Sequence, residues 1–82
     1  MRDYVDLRIE ILDKFRTVRV EREAPEDDLG AQLDDDTAFD NWINDNLHLI
    51  KRAALGKLLE TAADIPGEDH TIVLRGGDLS KF

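Results

Sequence analysis

The chain is predicted to fold as a single two-layer α+β domain, in the order strand, strand, helix, strand. Three observations predict it. Apolar residues alternate with charged ones over residues 4–12 and again over 17–23, the period-two pattern of half-buried strands. Between residues 38 and 63 apolar side chains recur at spacings of three and four, as on a helix with one buried face. A short run dense in β-branched residues, Thr71, Ile72, Val73 and Leu74, lies between Pro66-Gly67 and Gly76-Gly77 and marks a last, buried strand.

In the first strand Val5, Leu7, Ile9 and Ile11 share one face, with Asp6, Arg8 and Glu10 on the other; in the second, Val18 and Val20 oppose Arg19 and Glu21. The short connection makes the pair a hairpin. Charges on the solvent face select its register. Placing Ile11 opposite Val18 and Ile9 opposite Val20 sets Glu10 against Arg19 and Arg8 against Glu21, with residues 13–16 as the loop. A shift by two sets Arg8 against Arg19 and Asp6 against Glu21, which is unfavourable.

Residues 24–36, APEDDLGAQLDDD, combine Pro, Gly and a carboxylate run and are expected to form a loop. Thr37, followed three residues later by Asp40, opens a helix whose positive end suits Asp34, Asp35 and Asp36. Its buried stripe is Phe39, Ile43, Leu47, Ile50, Ala54 and Leu58, widened by Trp42, Leu49, Leu55 and Leu59. Asn44, Asp45 and Asn46 have poor helix propensity, so one long kinked helix and two shorter ones both fit. Pro66 and Gly67 end the helical region, and residues 70–75 form the final strand.

After an antiparallel hairpin, a helical crossover returns the last strand parallel to the first, giving the sheet order 2-1-3. The helix then covers Leu7, Ile9, Ile11, Val18 and Val20 with Ile72 or Val73. Residues 1–77 make the domain and 78–82 a short C-terminal tail.

A chain of 82 residues buries only about 60% of its unfolded surface, so the core is thin. A formal charge of −8 disfavours direct binding to nucleic acid or anionic lipid and favours a basic protein partner. The acid concentrates between Glu21 and Asp45, where Arg22 is the one basic residue. Within that stretch Asp34, Asp35, Asp36 and Trp42 are the candidate partner-binding residues. Such a surface suits an acidic interaction module, or an inhibitor that mimics a nucleic acid backbone in a basic groove.

Cysteine is absent, which excludes a disulfide framework, a thiolate metal site and a cysteine nucleophile. His48 and His70 stand far apart with no metal-ligand spacing, and Ser80 is the only serine. Neither enzyme chemistry nor a metal or cofactor is expected. The N-terminus is charged from its second residue and lacks a signal peptide's apolar segment, and no apolar run approaches membrane-spanning length, so a cytoplasmic protein is expected.

An N-terminal hairpin, a helix held by the sheet and a terminal TIVLRGG together resemble the ubiquitin-like modifiers of the β-grasp fold, bacterial type. The resemblance covers residues 4–23 and 71–77; the helix is longer, and the segment after it shorter, than in ubiquitin. It implies that Leu74, Arg75, Gly76 and Gly77 are a processing and conjugation motif. Residues 78–82 would then be a propeptide, and the partners a peptidase with activating and conjugating enzymes. Glycine suits such a terminus because a Cβ would obstruct narrow adenylating and thioester sites. A second alignment sets DIPGEDHTIVLRGGDL against the middle of ubiquitin and makes Gly76-Gly77 a turn. YVDLRIEIL and RAALGKLLETA are also similar to small domains that precede caspase-like peptidases in bacterial defence proteins.

Overall fold

The computed structural model describes residues 2–61 and 71–81. Strand β1 (Tyr4–Ile11) turns into β2 (Lys14–Glu21), followed by helices α1 (Glu23–Leu29), α2 (Asp36–Asp45) and α3 (Leu47–Thr61), strand β3 (Ile72–Leu74) and the single-turn helix α4 (Asp78–Lys81). The expected mixed α+β fold is present: a three-stranded sheet with helices packed on its apolar face, consistent with a β-grasp-like arrangement.

The hairpin is tighter than expected. Leu12 and Asp13 alone form the turn, both with positive φ (55° and 65°), the conformation of a type I′ turn that matches strand twist. Ile11 therefore pairs with Lys14, and the ladder continues through Ile9 with Arg16, Leu7 with Val18 and Val5 with Val20. This replaces the register that paired Ile11 with Val18. The faces are unaffected, because the two registers differ by an even number of residues. Asp6 now opposes Arg19, which grips it through Nε and NH2 at 2.9 and 3.2 Å and lies 4.0 Å from the centre of the Tyr4 ring.

The last strand is parallel to β2 rather than to β1, so the sheet order is β1-β2-β3. Packing accounts for the choice. Ile72 and Leu74 stand opposite Val18 and Val20, making β2 the central strand, and all four side chains are essentially removed from solvent. Each such side chain contributes about 1.5–3 kcal/mol by burial. Beyond the ladder, Arg75 reaches Glu21 at 3.4 Å.

Part of the expected loop over residues 24–36 is α1. Ala24 and Pro25 are buried in its first turn, where proline costs no hydrogen bond. Gly30 closes it with φ 65°, and the Ala31 N–H returns to the Pro25 carbonyl at 3.1 Å. Asp35, not Thr37, caps α2, its Oδ1 accepting the Ala38 N–H at 2.7 Å. Asp36 on that first turn and Asp40 on the next hold Arg2, which fastens the N-terminal segment to α2.

Of the two arrangements that fit the sequence, the structure has the two shorter helices. Asn46 leaves the helical region (φ −127°, ψ 26°), donates from Nδ2 to the Trp42 carbonyl at 2.8 Å, and accepts the Ile50 N–H at 3.0 Å as α3 begins. The core gathers Phe39 and Ile43 from α2 and Ile50, Ala53, Ala54 and Leu58 from α3 over Ile11, Val18, Val20, Ile72 and Leu74. Leu7 and Ile9, expected under the helix, are half-buried, and Leu47, expected in the buried stripe, is exposed. His70, Pro66 and Gly67 lie outside the described residues.

Candidate functional site

Two surface features adjoin helix α1: the Gly76-Gly77 corner, held by Asp28, and an acidic concavity lined in part by Glu23 and Glu26.

The corner is a turn that begins a helix. Gly77 has φ 97°, open to glycine and costly for other residues. Its N–H donates to Asp28 Oδ1 at 2.6 Å, while the N–H groups of Leu79 and Ser80 donate to Asp28 Oδ2 at 2.8 and 3.2 Å. Asp28 thus satisfies the amides that a helix start leaves unpaired, and does so from another element of the fold. The Lys81 N–H and the Ser80 hydroxyl both return to the Gly77 carbonyl.

A second carboxylate, that of Asp78, also holds the corner. Asp78 Oδ2 accepts the Arg75 N–H at 2.8 Å and Lys57 Nζ at 2.6 Å, and Lys57 also donates to the Val73 carbonyl. Burial pushes the Asp78 carboxyl up, but the Arg75 N–H and the Lys57 and Lys81 ammonium groups together outweigh it and leave it below the ordinary aspartate value. Leu79 is only 3% exposed and joins the core.

The four expected processing residues are therefore held together, but in an order unlike a free terminus. Leu74 is fully buried in β3, Arg75 is exposed against Glu21, and Gly76 and Gly77 are exposed within the turn. The expected loose end is absent: residues 78–81 form α4, packed on α1 and α3. The second alignment implied such a turn. Phe82 lies outside the described residues.

The concavity, of about 200 Å³, is lined by Asp3, Glu21, Arg22, Glu23 and Glu26. Arg22 sits among four carboxylates, 3.9 Å from Asp3 and 3.7 Å from Glu26. Its surroundings thus keep an excess of negative charge.

The other expected binding residues do not form one patch. Asp34 is exposed, Asp35 serves as a helix cap, and Asp36 is engaged by the Arg2 N–H, which holds its carboxyl below the usual range. Trp42, six residues beyond Asp36, stands about 9 Å further along the helix axis and packs partly on the core. His48 is exposed on α3, and among the described residues no group of His, Cys, Asp and Glu has the arrangement of a metal site. No helix among the described residues is long and apolar enough to cross a membrane.

Sequence reasoning missed Asp28 and Lys57. Asp28 was one carboxylate in an acidic run, and Lys57 a polar position between Leu55 and Leu58. Comparison with protein-family models, curated proteins and solved structures found no match to the chain.

Proposed function

We propose that this chain is a small acidic protein-interaction module that receives a Lys- or Arg-rich segment of a partner at the concavity beside α1. One observation carries the reading: four carboxylates, Asp3, Glu21, Glu23 and Glu26, surround a single guanidinium in a surface recess of a chain with net charge −8. Arg22 already has Asp3 and Glu26 within 4 Å and Arg75 lies 3.4 Å from Glu21, so four carboxylates face two guanidinium groups and an incoming cation meets the remaining negative potential. Such complementarity sets association rate and partner choice more than it sets affinity. It also repels phosphate backbones, in keeping with a basic protein surface as the target.

The test is a titration of the intact chain with a synthetic Lys/Arg-rich peptide at several salt concentrations. Glu23→Gln with Glu26→Gln should weaken binding about tenfold and flatten its salt dependence. Asp34→Asn with Asp45→Asn, two exposed carboxylates outside the concavity, removes the same charge and serves as the comparison. Equal losses from both variants would show diffuse attraction by net charge and remove the concavity as the site.

A modifier role for Leu74, Arg75, Gly76 and Gly77 is the second reading, favoured by the exposure of Arg75 and both glycines. It requires a peptidase to release residues 78–82, which means unseating Leu79 and breaking the three hydrogen bonds to Asp28. A cellular mass loss equal to those five residues, together with adducts of higher mass, would establish it; an intact C-terminus would end it. Gly76→Ala is the appropriate blocking variant. A Cβ there meets only the end of the Asp27 side chain, whereas alanine at Gly77 strains the turn itself.

A further inference from the structure

The unpaired edge of β1 is regular over its whole length. Among the described residues the sheet ends at β1, and its eight residues pair with β2 one for one, without a bulge. Proteins that keep such an edge solitary ordinarily blunt it with proline, lysine, a bulge or an inward-facing charge. Tyr4–Ile11, YVDLRIEI, has no proline and no lysine, and its charges all lie on the outer face. The opposite edge, β3, is only three residues long.

The direction of the free backbone groups follows from the hairpin. The Arg22 N–H donates to the Asp3 carbonyl at 2.8 Å, which makes Asp3 and Arg22 a hydrogen-bonded pair. Pair types alternate along an antiparallel ladder, so Val5, Leu7, Ile9 and Ile11 also bond to β2. Tyr4, Asp6, Arg8 and Glu10 therefore direct their N–H and C=O groups away from the sheet, toward the open edge.

We infer that this edge is an isologous dimer interface, on which a second copy of the chain adds its own β1 antiparallel, with Leu7 on the two-fold axis. The sequence around Leu7 has the matching symmetry. Asp6 of each copy opposes Arg8 of the other, Val5 opposes Ile9, and Leu7 opposes Leu7. Shifting the strands by two residues in either direction sets Asp6 against Asp6, or Arg8 against Arg8 with Asp6 against Glu10, so charge selects the register centred on Leu7. Val5, Leu7 and Ile9 are partly buried at the margin of the core. Under this pairing the second copy covers the remainder of each and joins the two sheets into one of six strands.

This inference rests on neither functional reading, and its test is separate. Sedimentation of the intact chain from micromolar to high micromolar concentration should give twice the 9.4 kDa monomer mass. Since the chain has no cysteine, Leu7→Cys supplies a unique thiol. In a non-hydrogen-bonded antiparallel pair the Cα atoms lie about 4.5 Å apart, within the range that a disulfide spans. Leu7→Cys should therefore cross-link to itself under mild oxidation. Val5→Cys and Ile9→Cys should each fail alone and cross-link when mixed.

Arg8→Asp should raise the dimer dissociation constant about tenfold or more, and Arg8→Lys should preserve it. A wild-type chain that stays monomeric at every concentration overturns the inference, whatever becomes of the variants. So does a dimer in which Val5→Cys links to itself or Leu7→Cys does not.

Discussion

The Asp28 carboxylate accepts the Gly77 N–H at 2.6 Å across 49 residues of sequence, and the same carboxylate takes the N–H groups of Leu79 and Ser80. One side chain thus fixes the Gly-Gly corner and starts α4. Replacing Asp28 with alanine leaves three amides without their charged acceptor. Part of that loss is recovered from water, so Asp28→Ala should cost about 2 kcal/mol, or roughly 8–16 °C in melting temperature. The neighbouring Asp27→Ala should have little effect. Urea denaturation measures the cost, and faster hydrogen exchange at Gly77, Leu79 and Ser80 assigns it to the corner.

Leu79 is the only core residue supplied by α4, and is 3% exposed. Its replacement by alanine should destabilise the fold by about 2–3 kcal/mol, the lower part of the range for buried leucines because the site lies near the surface. A chain ending at Gly77 loses Leu79, the Lys57–Asp78 pair and the Lys81–Glu60 pair together. It should be less stable than Leu79→Ala when both are unfolded in urea under the same conditions. If the truncated chain matched the full one, α4 would be dispensable and processing after Gly77 would meet no structural resistance.

How much of this was legible follows from how local each signal is. The strand faces were legible because side chains alternate whatever the register. The register itself was not. It is set by a two-residue turn, and Leu12-Asp13 contains neither the glycine nor the asparagine that usually marks one. The core stripe from Phe39 through Leu58 was visible from its spacing, except at exposed Leu47, while the poor propensity of Asn44, Asp45 and Asn46 left one kinked helix and two shorter ones equally open.

Helix α1 was obscured by its charge, although Pro25 in its first turn and Gly30 at its end were ordinary helix punctuation. The neighbour of β3 and the partners of Asp28 and Lys57 depend on where three helices place distant segments. No local pattern encodes that. The acidic concavity was foreshadowed only as an acidic stretch: Asp3 joins it from outside that stretch, across the hairpin, and Asp34, Asp35 and Asp36 are not in it.

Asp78, held by the Arg75 N–H and the Lys57 ammonium, makes stability depend on acid. Asp78 titrates below its ordinary value in the folded chain, so folding favours its ionised form. Its contribution is complete above the unfolded value of about 3.9 and is lost as the pH falls through the lower folded value. Asp78→Asn should therefore cost about 1–3 kcal/mol near neutral pH, the scale for hydrogen bonds to charged groups. The gap between wild type and variant should narrow steadily below about pH 4. Denaturant midpoints for the two proteins across that range give the comparison, and a gap independent of pH would mean that the ion pair is not its source.

The hairpin turn offers the opposite kind of change, a gain. Leu12 adopts φ 55° and Asp13 φ 65°, and a left-handed conformation costs a residue with a Cβ about 1–2 kcal/mol, least for Asp and Asn. Leu12 is also 55% exposed, so little burial is lost on replacing it. Leu12→Asn with Asp13→Gly supplies the pair that type I′ turns favour. The added glycine loosens the unfolded chain and offsets part of the benefit. The net effect should be a stabilisation of about 1 kcal/mol, seen as a rise of roughly 4–8 °C in melting temperature. Amide nuclear Overhauser contacts between Ile11 and Lys14 should persist in the variant. Loss of stability would mean that Leu12 is held in the turn by packing rather than tolerated there.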